Sequence, residues 1–290
     1  MTVYLNGQFL PLEEARIPVL DRGFIFGDGV YEVIPVYSKR AFRLHEHLVR
    51  LQHSLDGVRI DNPHSVGEWA ALINTLISHH QHEDQYVYLH ITRGVAKRDH
   101  AFPQPAVAPT VFMMSNPLTH PAAELLQSGV SAITAVDNRW LRCDIKSISL
   151  LPNVLLRQQA VDAGCAEVIL VRVENNDSDS FITEGSASNI FLVRDGILLA
   201  PPKDNLMLPG ITYDVILELA AAAGIPCSVR RILKQELYSA DEILLTSSTR
   251  EVMPITMLDG KPVGNGRPGP LFRQLHDRYQ HFKREVMRKP

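Results

Sequence analysis

The sequence lacks the features that mark nucleic-acid-binding, membrane-spanning and secreted proteins. Its 290 residues include 29 basic and 32 acidic side chains, with a formal net charge of −3 and no long run of one sign. This balance excludes a global field that would attract a nucleic acid or an anionic membrane surface. The most apolar stretch, residues 215–225, contains Glu218 and is too short to span a bilayer. The chain does not open with a basic region and an apolar run, so we expect no secretory signal.

Cysteine and the common nucleotide motifs are equally scarce. There are three cysteines, Cys143, Cys165 and Cys227, an odd number without the CxxC spacing of a metal or redox site. We therefore expect no metal and a reducing, cytoplasmic location. Neither GxxxxGKS/T nor GxGxxG occurs, which argues against the standard nucleotide-binding loops, and the GxSxG elbow of a serine hydrolase is also missing.

The composition is that of an ordinary globular protein with a sizeable core. Hydrophobic residues make up 45% of the chain and charged residues 21%. The length favours two domains, and the best linker is the stretch 117–123, which contains Pro117 and Pro121. We expect a mixed α+β and α/β fold, with a smaller α+β domain over 1–116 and a larger domain with a mixed sheet over 124–290.

Local patterns predict several elements. Asn6-Gly7 lies between two β-rich segments and predicts a hairpin, because both residues tolerate the positive φ of a tight turn. Residues 23–37 mix glycine with β-branched and aromatic residues and predict a bent strand. The polar run 174–180 predicts an exposed loop. A stripe at helical spacing predicts a helix over 45–55, and its members are Leu44, Leu48, Leu51 and Leu55.

The most informative segment is Cys143-Asp144-Ile145-Lys146-Ser147, where a lysine stands among apolar and small residues. A solvated ammonium is chemically inert, but desolvation lowers the pKa of lysine and gives an amine that forms imines with carbonyls. Further along, Glu184 opens a run of small and hydroxyl residues. A lysine imine and an acidic partner for a ring nitrogen are what pyridoxal phosphate requires. The alternative is an ordinary surface lysine.

Pyridoxal phosphate also needs a site for its phosphate, and three weak signals point to one. Leu208-Pro209-Gly210-Ile211-Thr212 predicts a helix start whose N–H groups and threonine hydroxyl converge. Four consecutive hydroxyl residues, 246–249, follow a predicted strand, and Arg50 lies off the leucine stripe of its helix. Each signal has an alternative interpretation, namely plain capping, a polar turn and a surface ion pair.

A basic loop over 93–103 follows a predicted strand and ends in proline. Arg98 and His100 alternate in it, so in an extended segment both side chains project to one side. Such a pair can clamp a carboxylate, with arginine as the fixed fork and histidine as a second donor. A solvated basic loop is the alternative.

Taken in order, these segments resemble the fold-type IV pyridoxal phosphate enzymes, which include D-amino acid aminotransferase, branched-chain aminotransferase and aminodeoxychorismate lyase. The resemblance covers nearly the whole chain. It rests on six motifs: Asp21-Arg22-Gly23-Phe24-Ile25-Phe26-Gly27-Asp28-Gly29-Val30-Tyr31-Glu32, His45-Glu46-His47-Leu48-Val49-Arg50-Leu51, Asp144-Ile145-Lys146-Ser147, Glu184-Gly185-Ser186-Ala187-Ser188-Asn189-Ile190, Leu208-Pro209-Gly210-Ile211-Thr212 and Thr246-Ser247-Ser248-Thr249-Arg250-Glu251-Val252.

The resemblance implies a role for each position. Lys146 would be the Schiff-base lysine and the proton shuttle. Glu184 would keep the ring nitrogen protonated, and Leu208 would pack on the ring face. The phosphate would be held by Arg50, Ile211, Thr212, Ser247 and Ser248.

Within that family, the loop at 93–103 resembles the D-amino acid aminotransferase pattern Arg-Gly-x-x-x-Arg-x-His-x-Phe-Pro. Arg98 and His100, with Tyr31, would then bind the substrate carboxylate, and the loop would come from the neighbouring subunit of a homodimer. The expected reaction exchanges an amino group between a D-amino acid, of the D-alanine or D-glutamate type, and a 2-oxo acid. A branched-chain L-amino acid aminotransferase, an aminodeoxychorismate lyase and a non-enzymatic cofactor carrier stay open as alternatives.

Stereochemistry would come from three anchors around Cα: the carboxylate site, the imine nitrogen and the side-chain pocket. An inverted substrate would leave Arg98 unpaired, which is costly in a buried site. Two positions depart from the family pattern. Ala187 stands where D-specific enzymes often carry a hydroxyl, and the loop 174–180 is longer than usual.

Overall fold

The structure, a computed structural model, describes residues 1–174 and 177–287, and the chain divides into two compact units. The first unit comprises residues 1–119 and 145–150, and the second comprises residues 120–144 and 151 onward. The segment that carries Lys146 therefore belongs to the first unit although it follows the predicted linker. The sequence predicted a first domain ending at residue 116 and a second beginning at residue 124. That prediction did not assign residues 145–150 to the first unit.

The first unit is an antiparallel sheet with helices packed on it. Its strands pair in the order β2-β1-β6-β5-β3-β4, six strands in a region that the structure describes completely. The strands are β1 (Thr2–Leu5), β2 (Gln8–Pro11), β3 (Gly29–Tyr37), β4 (Arg40–Ala41), β5 (Gln85–Thr92) and β6 (Thr110–Pro117), and the helices are α1 (Arg22–Phe26), α2 (Leu44–Val58) and α3 (Val66–Ser78), with a 3-10 turn at Leu12–Glu14. The hairpin predicted at Asn6-Gly7 is confirmed, since β1 and β2 pair across these two residues.

The core of the first unit lies between α2, α3 and the sheet. The leucine stripe is confirmed, because Leu48, Leu51 and Leu55 are at most 3% exposed. They pack with Trp69 and Ile73 of α3 and with apolar side chains of the sheet. The helix α3 begins in a capping box, which fixes where the chain enters it.

The prediction of a single bent strand over 23–37 is wrong. Residues 22–26 form the short helix α1, and only Gly29–Tyr37 form β3. The Asp21 carboxylate accepts a hydrogen bond from Gly23 N at 2.8 Å and caps α1. Gly27, at φ 66°, ends the helix in a left-handed conformation that glycine adopts without strain. Periodicity could not reveal a helix of five residues.

The second unit is built on a mixed sheet. Among its described residues the strand order is β12-β11-β10-β13-β14-β7-β8-β9, with β15 on β14, and the pairs β11–β12, β14–β7 and β7–β8 are parallel. The strands are β7 (Val130–Val136), β8 (Glu167–Arg172), β9 (Phe181–Gly185), β10 (Asn189–Arg194), β11 (Ile197–Ala200), β12 (Cys227–Val229), β13 (Glu242–Ser247), β14 (Glu251–Leu258) and β15 (Lys261–Pro262), and the helices are α4 (Ala123–Ser128), α5 (Leu151–Asp162), α6 (Ile211–Ala222), α7 (Lys234–Leu237) and α8 (Pro270–Met287). Helices together with an antiparallel and a mixed sheet confirm the predicted fold class.

Two further predictions concern the loop at 174–180 and membrane-spanning segments. The predicted loop at 174–180 lies partly outside the described residues, and its second half contains a 3-10 turn at Asp177–Asp179. Of the helices in the described ranges, none combines the length and the apolar character that crossing a membrane demands.

Replacing Leu51 by alanine tests the core of the first unit. Leu51 is 0% exposed, so Leu51→Ala should lower the free energy of unfolding by about 2–5 kcal/mol through lost burial and a cavity. Urea unfolding followed by circular dichroism measures the change. Val49→Ala on the same helix is the control, because Val49 is 54% exposed and should lose less than about 0.5 kcal/mol. Equal losses would contradict the packing described for α2.

Candidate active site

A second face of α2 is polar and buried. His47, Arg50 and Ser54 follow one another at helical spacing and lie beside the leucine stripe. The Arg50 guanidinium donates from Nε and Nη2 to the two oxygens of Glu32 on β3, at 2.7 and 2.8 Å. His47 Nδ1 lies 2.9 Å from Glu32 Oε2. This face therefore ties α2 to β3 through one carboxylate.

The Glu32 carboxylate is fully buried, and its charge state follows from its partners. Burial by itself raises the pKa of a carboxyl group, but the charge and hydrogen bonds of Arg50, helped by His47, hold the Glu32 pKa well below its usual range. Burial lowers the pKa of His47, against the opposing effect of Glu32. Glu32 is thus a fixed anion, and the bidentate contact fixes the direction of the Arg50 side chain.

Lys146 is half-buried and held by main-chain contacts on both sides. Its backbone N donates to Ser54 Oγ at 3.0 Å, and its carbonyl accepts from Tyr31 N at 2.9 Å. The Lys146 Nζ lies 4.2 Å from the centroid of the Tyr31 ring. Among the predicted site residues, Lys146 and Tyr31 are in contact, and Arg50 lies one helical turn before Ser54. Lys146 is thus neither fully solvated nor fully buried, and its amine lies against an aromatic ring.

Arg98 and His100 both lie against one aromatic ring. The Arg98 guanidinium carbon is 5.4 Å from the centroid of the Phe26 ring, and the His100 ring centroid is also 5.4 Å from it. Both side chains are exposed, so they are available to a ligand. The sequence predicted that Arg98 and His100 project to the same side of the loop, and in the structure both side chains lie against the Phe26 ring.

Glu184 lies in the second unit, at the end of β9, and is 5% exposed. Its Oε1 accepts from Arg139 Nη1 at 2.6 Å, and its Oε2 accepts from Leu208 N at 3.2 Å. Arg139 is held in turn by Asp137, whose carboxylate accepts from its Nε and Nη2 at 2.9 and 3.0 Å. The Glu184 carboxyl is therefore held by hydrogen bonds from Arg139 and from the backbone of Leu208.

Electrostatics within this chain of charges set the basicity of Glu184. Burial raises the pKa of the Glu184 carboxyl to about 7, although Arg139 and the Leu208 N–H act in the opposite direction. Burial also opposes the charge on Arg139, but Glu184 and Asp137 raise its pKa above the ordinary value. Arg139 stays a cation, while Glu184 is an unusually basic carboxylate. Such a group is suited to share a proton with a ring nitrogen.

The helix α6 begins without a side-chain cap, a feature that it shares with helix starts that bind anions. Gly210 is its N-cap residue and supplies no side-chain acceptor for the first N–H groups of the helix. A Cβ atom at Gly210 would come 2.0 Å from Asn189 Oδ1, so only glycine fits there. Ile211 and Thr212 are 7% and 2% exposed. The alternative of plain capping by Thr212 does not hold, because Thr212 lies inside the helix.

The hydroxyl cluster at 246–249 lies in the same unit, at the end of β13. Ser247 and Ser248 are half-buried, and Ser247 Oγ accepts from Arg250 N at 3.2 Å. The hydroxyl hydrogen of Ser247 is therefore available for a second partner. Thr246 is fully buried, and its hydroxyl has no hydrogen-bond partner among the described residues.

Cys143 lacks the environment of an activated thiol. It is buried next to the Arg139 cluster, and burial raises the pKa of its thiol to about 11. It is therefore a thiol and a poor nucleophile at neutral pH. Across residues 1–174 and 177–287, no group of three or more His, Cys, Asp and Glu side chains could hold a metal ion.

Four charged residues that hold candidate site residues in position within their own unit were not singled out from the sequence: Glu32, His47, Asp137 and Arg139. Glu32 did carry a signal, since it is an acidic residue on the face of β3 that also buries Val30. A charge on a buried strand face needs a partner, and Arg50 was the candidate. Arg139 carried no comparable signal, because its link to Glu184 spans 45 positions and exists only in the folded chain.

Comparison with known proteins assigns the family. A model of class IV amino-transferases matches residues 29–258. The D-alanine aminotransferase of Staphylococcus aureus (strain MSSA476) is 39% identical over 280 residues, which is 97% of this chain and 97% of that protein. The D-alanine aminotransferase of Bacillus licheniformis is 40% identical over 281 residues, 97% of this chain and 96% of that protein. The chain belongs to the class IV aminotransferase family.

Solved structures give the same fold. The branched-chain amino acid aminotransferase of Escherichia coli has a TM-score of 0.88 and 27% identity, covering 97% of this chain and 93% of that chain. The T.th. branched-chain amino acid aminotransferase with pyridoxamine 5'-phosphate has a TM-score of 0.89 and 28% identity, covering 100% of this chain and 95% of that chain. The predicted fold-type IV architecture is confirmed.

Replacing Glu32 by glutamine tests the buried carboxylate. The folded pKa of Glu32 lies below its unfolded value of about 4.3, so its stabilisation is complete above that pH and is lost as the pH falls further. Glu32→Gln should cost about 3–5 kcal/mol at pH 7, because Arg50 loses its counter-charge, and less at pH 3. Urea unfolding at both pH values measures the difference. Glu13→Gln, at an exposed site, is the control, and an equal loss at both pH values would contradict the assignment.

Proposed function

We propose that this protein is a pyridoxal phosphate-dependent transaminase that exchanges the amino group between a D-amino acid, of the D-alanine or D-glutamate type, and a 2-oxo acid. The observation that carries the proposal is the Arg98–His100 pair on Phe26, in a chain whose curated relatives include D-alanine aminotransferases. Two adjacent basic side chains on one ring form a site for a carboxylate.

The residues present fit the cofactor. The basic Glu184 carboxyl, with Arg139 behind it, fits a ring nitrogen that must carry a proton. The uncapped start of α6 fits a phosphate, because its N–H groups point at one spot and the helix dipole favours an anion. Thr212, Ser247 and Ser248 add hydroxyl donors.

Each side chain then has a defined task. Pyridoxal phosphate supplies an aldehyde that condenses with amines and a ring that accepts electrons. The Lys146 amine would hold that aldehyde covalently and would accept and return the proton at the substrate Cα. Glu184 holds the proton at the ring nitrogen. Arg50, Ile211, Thr212, Ser247 and Ser248 hold the phosphate, and Leu208 packs on the ring face.

Substrate recognition completes the scheme. Arg98, His100 and Tyr31 bind the α-carboxylate of the amino acid, and this contact decides the configuration that is accepted. The opposite configuration would exchange the carboxylate and the side chain, and would leave the Arg98 cation without its partner. The similarity to branched-chain enzymes makes an L-amino acid aminotransferase the second candidate. That enzyme would gain nothing from Arg98.

A half-reaction with single amino acids tests the function. The holoenzyme is mixed with D-alanine, D-glutamate or L-leucine and no oxo acid, and the cofactor absorbance is followed over time. We expect conversion with the D-amino acids to be about 100-fold faster or more than with L-leucine. Lys146→Ala should abolish conversion, whereas Lys261→Ala, at an exposed position, should not. Faster conversion of L-leucine would favour the branched-chain alternative. Pyruvate release from a chorismate-derived amine, sustained over many turnovers without an oxo-acid acceptor, would favour a lyase.

The assembly we propose is a homodimer in which Arg98 and His100 serve the site of the neighbouring subunit. The segment before α1 is apolar and exposed, with Val19 at 73% and Phe24, within α1, at 71%. Exposed apolar residues of this size mark an interaction surface. The same segment pairs with the start of the basic loop, since Ala96 N donates to Leu20 O at 3.3 Å. A second subunit on this surface would lie beside the loop.

Complementation between two inactive variants tests the shared site. Arg98→Ala removes the carboxylate contact and Lys146→Ala removes the amine, so each variant alone should be inactive towards D-alanine. Co-expressed with different tags, they should form a mixed dimer in which one site regains Lys146 and a partner's intact Arg98, restoring about half the sites in that dimer. If Arg98 serves its own subunit, the purified mixed dimer stays inactive. Light scattering gives the oligomeric state independently.

A further inference from the structure

The basic loop that carries Arg98 and His100 is fastened to α1 as it leaves β5. Arg22 N donates to Gly94 O at 2.9 Å, and Asp21 forms an antiparallel bridge with Val95. Gly94 has a φ of 101° and a Cβ there would meet Ala108 O at 2.1 Å, so the chain turns closely at this point. The outgoing half of the loop is thus held by the backbone of α1 and the residues before it.

In the returning half of the loop, the Arg22 side chain binds the backbone on both sides of His100. Arg22 Nη1 donates to the carbonyl oxygens of Asp99 and Ala101, at 2.6 and 3.3 Å. These two carbonyls lie on either side of His100. Ala101 N also donates to Asp99 Oδ1 at 3.1 Å, which closes a tight turn around the histidine. The backbone of His100 is therefore fixed from both sides.

The Arg22 guanidinium is itself anchored by a buried ion pair. Its Nε donates to Asp28 Oδ2 at 2.7 Å, and the Arg22 side chain is 5% exposed. Asp28 also accepts from Arg93 at 2.8 and 2.9 Å, and Arg93 is the residue at which the loop begins. Burial raises the pKa of a carboxyl group, but the two guanidinium groups hold the Asp28 pKa below its usual value. One carboxylate thus connects both ends of the loop.

We propose that Arg22 is a positioning residue for substrate recognition, which holds His100 and Arg98 in the geometry that binds the amino-acid carboxylate. This inference rests on the proposed function, because it assigns the carboxylate to Arg98 and His100. Phe26, the last residue of α1, carries both basic side chains, so Arg22 and Phe26 place the loop from the two ends of one short helix.

The shape of the guanidinium group explains why position 22 requires arginine. Arginine is a rigid fork, so it reaches Asp28 with Nε and the two carbonyls with Nη1 at the same time. Lysine at this position keeps the charge near Asp28 but is a compact ammonium that cannot span both contacts. Arg22→Lys therefore frees the backbone on both sides of His100 without replacing the side chains of Arg98, His100 or Lys146.

The test is saturation of the half-reaction in the holoenzyme of Arg22→Lys. Misplacement of a binding group by about 1 Å costs about 100-fold, so the half-saturating concentration of D-alanine should rise about 10- to 100-fold. The maximal rate should change by less than about threefold, because the groups that move protons are untouched. Hydroxylamine reacts with the Lys146-bound aldehyde and has no carboxylate, and its rate should not change. Hydrogen exchange at 94–103 should become faster.

Arg16→Lys is the matched control, because Arg16 is exposed and its guanidinium contacts only the carbonyl of Ala15 among the described residues. It should match the unsubstituted enzyme in every readout. An unchanged half-saturating concentration in Arg22→Lys would overturn the inference, as would an equal fall in the hydroxylamine rate, which would show a general defect. An unsubstituted enzyme that converts only L-leucine overturns the proposed function itself, and with it this inference.

Asp99→Ala keeps the inference testable if Arg22→Lys does not fold. Asp99 is exposed, and its removal opens the turn around His100 without touching the core. The half-saturating concentration of D-alanine should rise by a smaller factor, about 3- to 10-fold, at a constant maximal rate. No rise would show that the backbone around His100 does not set substrate affinity.

Discussion

The buried carboxylate of Glu32 is the constraint on which the first unit depends. An isolated charge in a protein interior is costly, so Glu32 is tolerated only with Arg50 and His47 bound to it. That requirement fixes α2 against β3 and fixes the direction of Arg50. The preceding residue on β3, Tyr31, holds the carbonyl of Lys146. In the proposed function, this ion pair orients Arg50 as a phosphate ligand, and the strand β3 holds the main chain of Lys146.

The second unit also contains buried charged side chains, and it stabilises them by pairing opposite charges in a row. Glu184 is paired with Arg139, Arg139 with Asp137, and Asp137 also accepts the hydroxyl of Thr183 at 2.8 Å. Each of these three charged side chains therefore has a partner of opposite charge. The carboxylate at its end keeps a raised pKa, because burial outweighs the single guanidinium beside it. In the proposed function, that basicity keeps the cofactor ring protonated.

In the proposed function, the residues that bind the substrate lie in a different setting from those that bind the cofactor. Glu32, Glu184 and their partners are buried, whereas Arg98 and His100 lie on an exposed loop braced by Arg22. A loop can change its residues without disturbing a buried network, so substrate preference and cofactor chemistry can vary independently. This separation agrees with a family whose relatives of similar fold carry the names of both D-alanine and branched-chain enzymes.

The sequence by itself determined the family, the helix with the leucine stripe and the hairpin at Asn6-Gly7, and it singled out Lys146 and Glu184 as candidate site residues. These features are local, since they rest on spacing along the chain and on the chemistry of single residues. Tertiary structure alone decided the partners of those residues: Glu32 for Arg50, Arg139 for Glu184 and Arg22 for the loop around His100. Such pairs join residues up to 79 positions apart. Their free energy comes from burial and from fixed hydrogen-bond geometry, neither of which exists before the chain folds.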